Sequence, residues 1–181
     1  LGTAATLALG SAVRHAGDQR GAQAAGDDLV RSYQAARTPE QRTKYLSALG
    51  NAGSERGLES IRAALSDPLP EIRAAAVNAL RFIPSPEADT LMANVLLKDV
   101  APLVRASAID AAIYRSASAT LLEALSSAVV AEKEWNLRAR IVDALAQKLR
   151  ETPALRSVLQ AVAKNDPSQQ VRDAASKALQ S

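Results

Sequence analysis

The chain has 181 residues and a mass of 19.0 kDa, which fits one domain or one stack of repeats. Its residues are 48% hydrophobic but only 3% aromatic, and 39 alanines and 23 leucines must therefore fill most of the core. That composition favours closely packed helices over an all-β fold. No apolar run is long enough for a transmembrane helix.

The supply of reactive side chains is small. The chain has no cysteine, which excludes disulfides, thiolate zinc sites and cysteine nucleophiles. A single histidine, His15, cannot form a multi-imidazole metal site within one chain, and no G-x-S-x-G nucleophile motif is present. We therefore expect a protein that is not an enzyme, with no catalytic residue, no metal and no other cofactor. The net charge of +3 is too small by itself to indicate nucleic-acid binding.

Taken in chain order, the apolar periodicity predicts about eleven helices. A lone helix is expected over Thr3–Ala16, followed by a flexible loop over Gly17–Gly26, and residues 27–181 are expected to form five helical pairs. The first helices of these pairs are predicted at Asp27–Ala36, Arg56–Ser66, Glu87–Lys98, Ser118–Ala131 and Pro153–Asn165. The second helices are predicted at 39–50, 71–83, 103–115, 136–151 and 169–180.

The last four second helices begin with the same motif, an aliphatic residue followed by arginine. The motif occurs as Ile72-Arg73, Val104-Arg105, Leu137-Arg138 and Val171-Arg172, at separations of 32, 33 and 34 residues. An acidic residue lies six positions before each arginine, in the preceding turn: Asp67, Asp99, Glu132 and Asp166. This constant spacing predicts a ladder in which each arginine reaches the acid of its own or the adjacent repeat.

Two-helix units of this length, with an acid in the turn and an aliphatic-Arg pair early in the second helix, resemble HEAT repeats over about residues 27–181. A narrower resemblance rests on TLALGSAV (Thr6–Val13), YLSALGNAG (Tyr45–Gly53) and IRAAAVNALRFI (Ile72–Ile83), in this order. These segments resemble the α-helical domain of the vitellogenin family of large lipid transfer proteins, in a version of bacterial character.

The resemblance implies an all-α fold, a right-handed two-layer α-solenoid of HEAT-like helical pairs. It implies one domain over residues 1–181 that is part of a longer protein, with a role in bracing or docking. In that family the helical layer supports β-sheets that hold lipid, and no such sheet segments are present here. A secreted, periplasmic or outer-membrane-anchored location would follow from the resemblance, while the residues themselves leave the compartment open.

Leucines at helical spacing are expected to supply most of the buried volume of this stack. The predicted core leucines are at positions 80, 91, 96, 121, 125, 145, 155 and 159. In the LGNAG segment we expect Gly50 to end the helix and Gly53 to shape the turn that follows.

Two interpretations of the charged residues remain open. The ladder of Asp67, Asp99, Glu132, Asp166 and their arginines, Arg172 included, is either structural or anion-binding, and its fixed spacing favours the structural interpretation. The second helices carry 12 cations and 6 acids, so they can instead present a basic surface to a partner. The candidate partner-binding residues are Arg73, Arg81, Arg105, Arg115, Arg138, Arg140 and Trp135. A solvated face is the favoured alternative for the arginines, and a packing role between repeats is favoured for Trp135.

The leading hypothesis is a non-enzymatic scaffold in which the second helices line a mildly basic concave surface that binds a protein partner or a neighbouring domain of the same chain. A first alternative is the helical wall of a lipid-binding or lipid-transfer assembly. A second is a module that binds nucleic acid or another polyanion, although the shortage of aromatic residues for base stacking weakens it.

Replacing a core leucine tests the predicted packing directly. We expect Leu80→Ala to lower the free energy of unfolding by about 2–5 kcal/mol, because the truncation leaves a cavity in a close-packed core. Thermal or urea unfolding measures the change, and an unaltered melt would contradict the assignment of Leu80 to the core.

Overall fold

The structure is a computed structural model that describes the backbone of residues 3–15 and 19–180 and the side chains of residues 4–12 and 23–180. The described backbone forms eleven α-helices and two short 3₁₀ turns, with no strand. The helices are α1 (Thr3–His15), α2 (Gln19–Gln34), α3 (Pro39–Ala52), α4 (Leu58–Ala64), α5 (Pro70–Ala79), α6 (Pro86–Lys98), α7 (Pro102–Ile113), α8 (Ala119–Ala131), α9 (Trp135–Lys148), α10 (Leu155–Asn165) and α11 (Gln169–Ala178). The predicted all-α class and the predicted number of helices are confirmed.

Several helices begin where the sequence supplies a recognised start signal. Thr38 caps α3 by accepting the backbone N–H of Gln41 at 3.2 Å, and the Gln41 side chain accepts the backbone N–H of Thr38 in return. Ser118 caps α8 by accepting the backbone N–H of Leu121. Proline occupies the first position of α5 and of α7, where no backbone donor is needed.

The predicted flexible loop over Gly17–Gly26 is wrong from Gln19 onward, because α2 already begins there. Gln19, Arg20 and four of the six residues from Gly21 to Gly26 are good helix formers, so the two glycines do not prevent a helix here. Helix α2 packs on both α1 and α3, and these neighbours, which the local sequence does not reveal, stabilise it further. Gly17 and Asp18 lie outside the described residues.

The chain forms two compact units, with the boundary between Met92 and Ala93. In the first unit α1, α3 and α5 pack side by side in one row, and α2 and α4 contact each other in a second row. In the second unit α7, α9 and α11 form one row, and α8 and α10 form another. Within each unit the second helices of the repeats therefore lie in one layer and the first helices in another.

Leucine and alanine fill both cores, as the composition predicts. Seven of the eight predicted core leucines are buried, and Leu91 is only half-buried. Leu80 and Ile83 are fully buried in the first unit, and Leu125, Ile141 and Leu145 are fully buried in the second. Alanines that separate these large side chains are also buried, which lets neighbouring helices approach closely.

Two glycines within helices of the first unit make close contacts with a neighbouring helix. Gly10 in α1 lies against the backbone of Ala48 in α3, and Gly50 in α3 lies against Ala79 in α5. A Cβ atom built on Gly50 would lie 2.5 Å from the Cα of Ala79. The prediction that Gly50 ends α3 is therefore wrong. The helix continues to Ala52, and Gly53 follows it in the left-handed conformation at φ 61°.

Substituting the interhelical glycine tests this packing. We expect Gly50→Ala to destabilise the protein by about 1–3 kcal/mol, because the added methyl group overpacks the contact between α3 and α5. The matched control is Gly26→Ala in α2, where the nearest atom to the new Cβ is Arg56 Cδ at 3.8 Å. That control should leave stability unchanged or raise it by about 0.5–1 kcal/mol. Urea denaturation measures the stability of both variants. Equal midpoints would contradict the close contact between Gly50 and Ala79.

Candidate functional site

Each of the four repeat turns is organised by its acidic side chain. The shared contact is a hydrogen bond that the carboxylate accepts from the backbone N–H of the residue two positions later. It joins Asp67 to Leu69, Asp99 to Ala101, Glu132 to Glu134 and Asp166 to Ser168, at 2.8–3.1 Å. Because that N–H belongs to the residue just before the second helix, the acid fixes the point at which the helix starts.

The arginine of the second helix closes the same turn from the other side. In each repeat its Nη1 atom donates to the backbone carbonyl of the acidic residue six positions earlier. The distances are 2.9 Å for Arg73, 3.0 Å for Arg105, 3.1 Å for Arg138 and 2.6 Å for Arg172. The bond that each arginine makes to its own turn is therefore to the main chain and not to the carboxylate.

The carboxylates of Asp67, Glu132 and Asp166 are bound by the arginine of the preceding repeat. Arg42 Nη1 lies 2.6 Å from Asp67 Oδ2 in the first unit. In the second unit the pairs are bidentate: Arg105 donates to both oxygens of Glu132 at 2.6 and 2.9 Å, and Arg138 donates to both oxygens of Asp166 at 2.7 and 2.9 Å. Such fork geometry gives the strongest ion pairs in proteins.

The pair of Arg138 and Asp166 is the most deeply buried of these. Both residues are more than nine-tenths buried, and all three nitrogens of the guanidinium donate to oxygen atoms. The hydrogen bonds from Arg138 lower the pKa of Asp166 below its ordinary value, against the opposing effect of burial. Arg105 lowers the pKa of Glu132 in the same way. Both carboxylates are therefore held in the charged form.

The candidate partner-binding arginines on the second helices are engaged in contacts within the chain. Arg73, Arg105 and Arg138 close their turns, and Arg140 forms an ion pair with Asp110. Arg81 donates to the side chains of Asn78 and Asn51 and stacks on the ring of Phe82 at 4.8 Å. Arg115 lies after the end of α7, where its carbonyl accepts a hydrogen bond from the buried Lys148 at 2.6 Å. Their binding role stays a prediction, and the geometry favours the structural interpretation.

Two aromatic residues of the second unit are exposed at helix ends. Trp135, the first residue of α9, is 50% exposed, which argues against the packing role between repeats that the sequence favoured for it. Tyr114 is 64% exposed at the end of α7. Both lie at helix ends, where the ring can point past the neighbouring layer, and helical periodicity does not reveal this. Tyr33, in contrast, is buried, and its hydroxyl accepts a hydrogen bond from Arg42 at 3.3 Å.

Sequence analysis missed an apolar surface around α8 in the second unit. A groove of about 700 Å³ lies between α8 and α10, and Val129, Val130, Val158 and Val162 line it. The ladder residues Glu132, Arg138 and Asp166 close one end. Val130 is 79% exposed. Its neighbour Val129 is buried, and the sequence pattern alone did not show which of the two valines would face outward.

A second groove, of about 490 Å³, lies on the other side of α8. Leu97 and Val100 line it, together with Ala128 and Ala131 of α8. Val100 is 87% exposed, and Leu103 and Leu97 are also exposed. The C-terminal half of α8 thus separates two grooves, and we call both grooves and this half-helix the α8 surface.

Other site classes have no support among the side chains that the structure describes. No three His, Asp or Glu residues with described side chains lie close enough together to hold a metal ion. None of the described helices is long and apolar enough to cross a membrane. The side chain of His15 lies outside the described residues.

Comparison with known proteins supports the repeat fold. Residues 28–113 match the profile of a family described as HEAT repeats. A chain in the complex of CpcE and CpcF of phycocyanin lyase from Nostoc sp. is similar in structure, with a TM-score of 0.64 at 20% identity over 87% of this chain and 99% of that chain. Human deoxyhypusine hydroxylase in complex with glycerol, at 21% identity, covers 99% of this chain and 79% of that chain, but its TM-score of 0.35 is too low to bear on the fold. No curated protein matches the chain.

These findings confirm an all-α fold of the α-solenoid class, built from HEAT-like helical pairs. They do not extend to the narrower resemblance to vitellogenin-type helical domains or to a bacterial source. At 20% identity, the likeness to the phycocyanin lyase chain establishes the fold alone.

The buried ion pair predicts a dependence of stability on pH. Asp166→Asn should lower the free energy of unfolding at neutral pH by about 3–5 kcal/mol, because it leaves the Arg138 charge buried without its partner. The folded-state pKa of Asp166 is lowered, so its stabilising effect is present above the ordinary Asp pKa of about 3.9 and is lost as the pH falls through the lowered value. The difference between the two proteins should therefore shrink below about pH 4.

Urea unfolding of both proteins between neutral and acidic pH measures this difference. The matched control is Asp173→Asn, at an exposed aspartate of α11 that accepts a hydrogen bond from the Gln169 side chain. It should change stability by no more than about 0.5 kcal/mol. A constant difference between wild type and Asp166→Asn at every pH would count against the ion pair.

Proposed function

We propose that this protein is a non-enzymatic interaction module that binds a protein partner, or a neighbouring domain of a longer chain, through the α8 surface. The observation that carries the proposal is the exposure of Val100 and Val130 on two grooves that share one helix. Exposed apolar side chains next to preformed grooves are typical of protein interaction sites.

The chemistry of the grooves favours an aliphatic occupant. Val129, Val130, Val158 and Val162 offer methyl groups, and the charged residues at the end of the larger groove are already paired within the chain. Burying one exposed valine stabilises a complex by roughly 1.5–3 kcal/mol. A partner helix that places aliphatic residues at i, i+3 and i+4 along the groove would fit this surface.

The comparison with the phycocyanin lyase chain is consistent with protein binding. That structure is a complex of two proteins, CpcE and CpcF. By analogy of fold, a helical-repeat surface of this kind is suited to a protein partner, and the analogy carries no information about the partner's identity or about lyase activity.

A lipid-handling role is the second candidate, and the larger groove favours it. Its aliphatic lining could accept an acyl chain if further domains covered the opening. Native mass spectrometry of the protein purified with its natural flanking sequence tests this role, since a bound lipid would add its mass to the protein. The polyanion alternative has less support, because the cations of the second helices are engaged within the chain.

Charge placed on the α8 surface should abolish partner binding without unfolding the protein. We expect a photo-crosslinking residue at position 130 to form one covalent complex in extract of the source organism, and the substitution Val100→Lys to reduce its yield at least about tenfold. Because Val100 is 87% exposed, Val100→Lys should change stability by less than about 0.5 kcal/mol.

The matched control is Tyr114→Lys, at an exposed apolar residue outside both grooves. It should leave the crosslink intact. Mass spectrometry identifies the crosslinked protein. Crosslinks to many proteins in equal amount, or a crosslink that Val100→Lys does not affect, would refute the proposal.

A further inference from the structure

Arg172, the ladder arginine of the last helical pair in the given sequence, binds no carboxylate among the described residues. Arg105 and Arg138 each use Nη1 to close their own turn and use the edge formed by Nε and Nη2 to hold the next carboxylate. Arg172 closes its turn in the same way, with Nη1 at 2.6 Å from the carbonyl of Asp166. Its Nη2 atom contacts only the neutral side-chain oxygen of Gln169.

In Arg172 the edge formed by Nε and Nη2 therefore holds a neutral amide oxygen where Arg105 and Arg138 hold a carboxylate. The Gln169 amide oxygen takes the place of one carboxylate oxygen, and no described residue accepts from Nε of Arg172. Gln169 is exposed, and its amide nitrogen donates to Asp173 at 2.6 Å. Exchange of a neutral oxygen for a carboxylate would roughly double the strength of the hydrogen bond.

The outer stripe of α11 differs from the matching stripe of α9. In α9, which packs on α11, the stripe taken for comparison is Ala139, Val142 and Ala146, all apolar and buried or half-buried. The residues 34 positions later are Asp173 and Ser176 of α11 and Gln180 just after its end, all of them exposed. This face therefore lacks the apolar groups that bury one repeat under the next.

The remaining charges on the last helical pair are mostly positive. Arg156, Lys164 and Lys177 are exposed, and Asp173 is the only exposed acid of α10 and α11 in the described part of the chain. Asp166, the other acid in this region, is buried against Arg138. A partner of opposite charge is consequently favoured at this end of the second unit.

We propose that the polar face of α11 is a docking site for a protein partner that presents an acidic turn, with an Asp or Glu carboxylate bound by the Nε–Nη2 edge of Arg172. The contact reproduces between two proteins the bond that Arg138 makes to Asp166 within this chain. It is held by charge and hydrogen bonds, so it is weakened by salt, and it uses none of the residues of the α8 surface.

The probe for this site is the capped peptide EEDPSEEV, which resembles the Asp166 turn of this chain, and its matched control is EENPSEEV. The full chain is labelled with ¹⁵N, and the Nε–Hε resonance of Arg172 is assigned by its loss in Arg172→Lys. We expect EEDPSEEV to shift this resonance in a saturable way and EENPSEEV to bind about tenfold more weakly. High salt should weaken both.

Three variants separate the possible outcomes. Gln169→Ala removes the substitute oxygen and should tighten peptide binding, whereas Arg172→Lys keeps the charge but loses the fork and should weaken it. Val130→Lys should leave peptide binding unchanged, so that failure at this site is distinguishable from failure of the α8 surface. A thermal melt of each variant verifies that it is folded.

Two results would overturn the inference. Equal affinity of the two peptides, or no saturable shift at Arg172, would show that the edge does not recognise a turn carboxylate. Sedimentation of the chain alone could instead reveal a dimer that Arg172→Lys abolishes, and this would assign the face to a second copy and not to an acidic partner.

Discussion

A carboxylate shared between a turn and the arginine of the preceding repeat is the interaction on which the rest of this structure depends. Asp166 illustrates it: one oxygen accepts the backbone N–H that starts α11, and both oxygens accept the fork of Arg138. The same carboxylate therefore sets where a helix begins and where the neighbouring repeat lies. Because a buried ion pair with an unpaired member is strongly unfavourable, register errors between repeats are disfavoured.

Small residues impose the second constraint. The contact of Gly50 with Ala79 leaves no room for a side chain, and buried alanines throughout both units keep the layers thin. Thin layers bury little volume per helix, so the large side chains that are present, such as Leu80 and Ile141, must be almost completely enclosed. The shortage of aromatic residues in the composition is a consequence of this packing.

The two constraints together decide which surfaces remain for binding. The ladder engages arginines that would otherwise form a basic surface, such as Arg105 and Arg138. What remains exposed is aliphatic on the α8 surface and polar on α11, where Arg172 holds a neutral oxygen at the position at which Arg105 and Arg138 hold a carboxylate. The two binding sites proposed above would therefore differ in chemistry, one apolar and one charged.

The sequence by itself determined the repeat, the helical class and the acid-to-arginine spacing, because each of these is a local pattern repeated several times. It could not decide the fate of Gly17–Gly26 or of Gly50, since glycine is compatible with a loop, a helix end or a close interhelical contact. It also could not show which carboxylate each arginine binds, or that Val130 and Trp135 are exposed. Those features depend on which helix packs beside which, and only the tertiary structure fixes the neighbours.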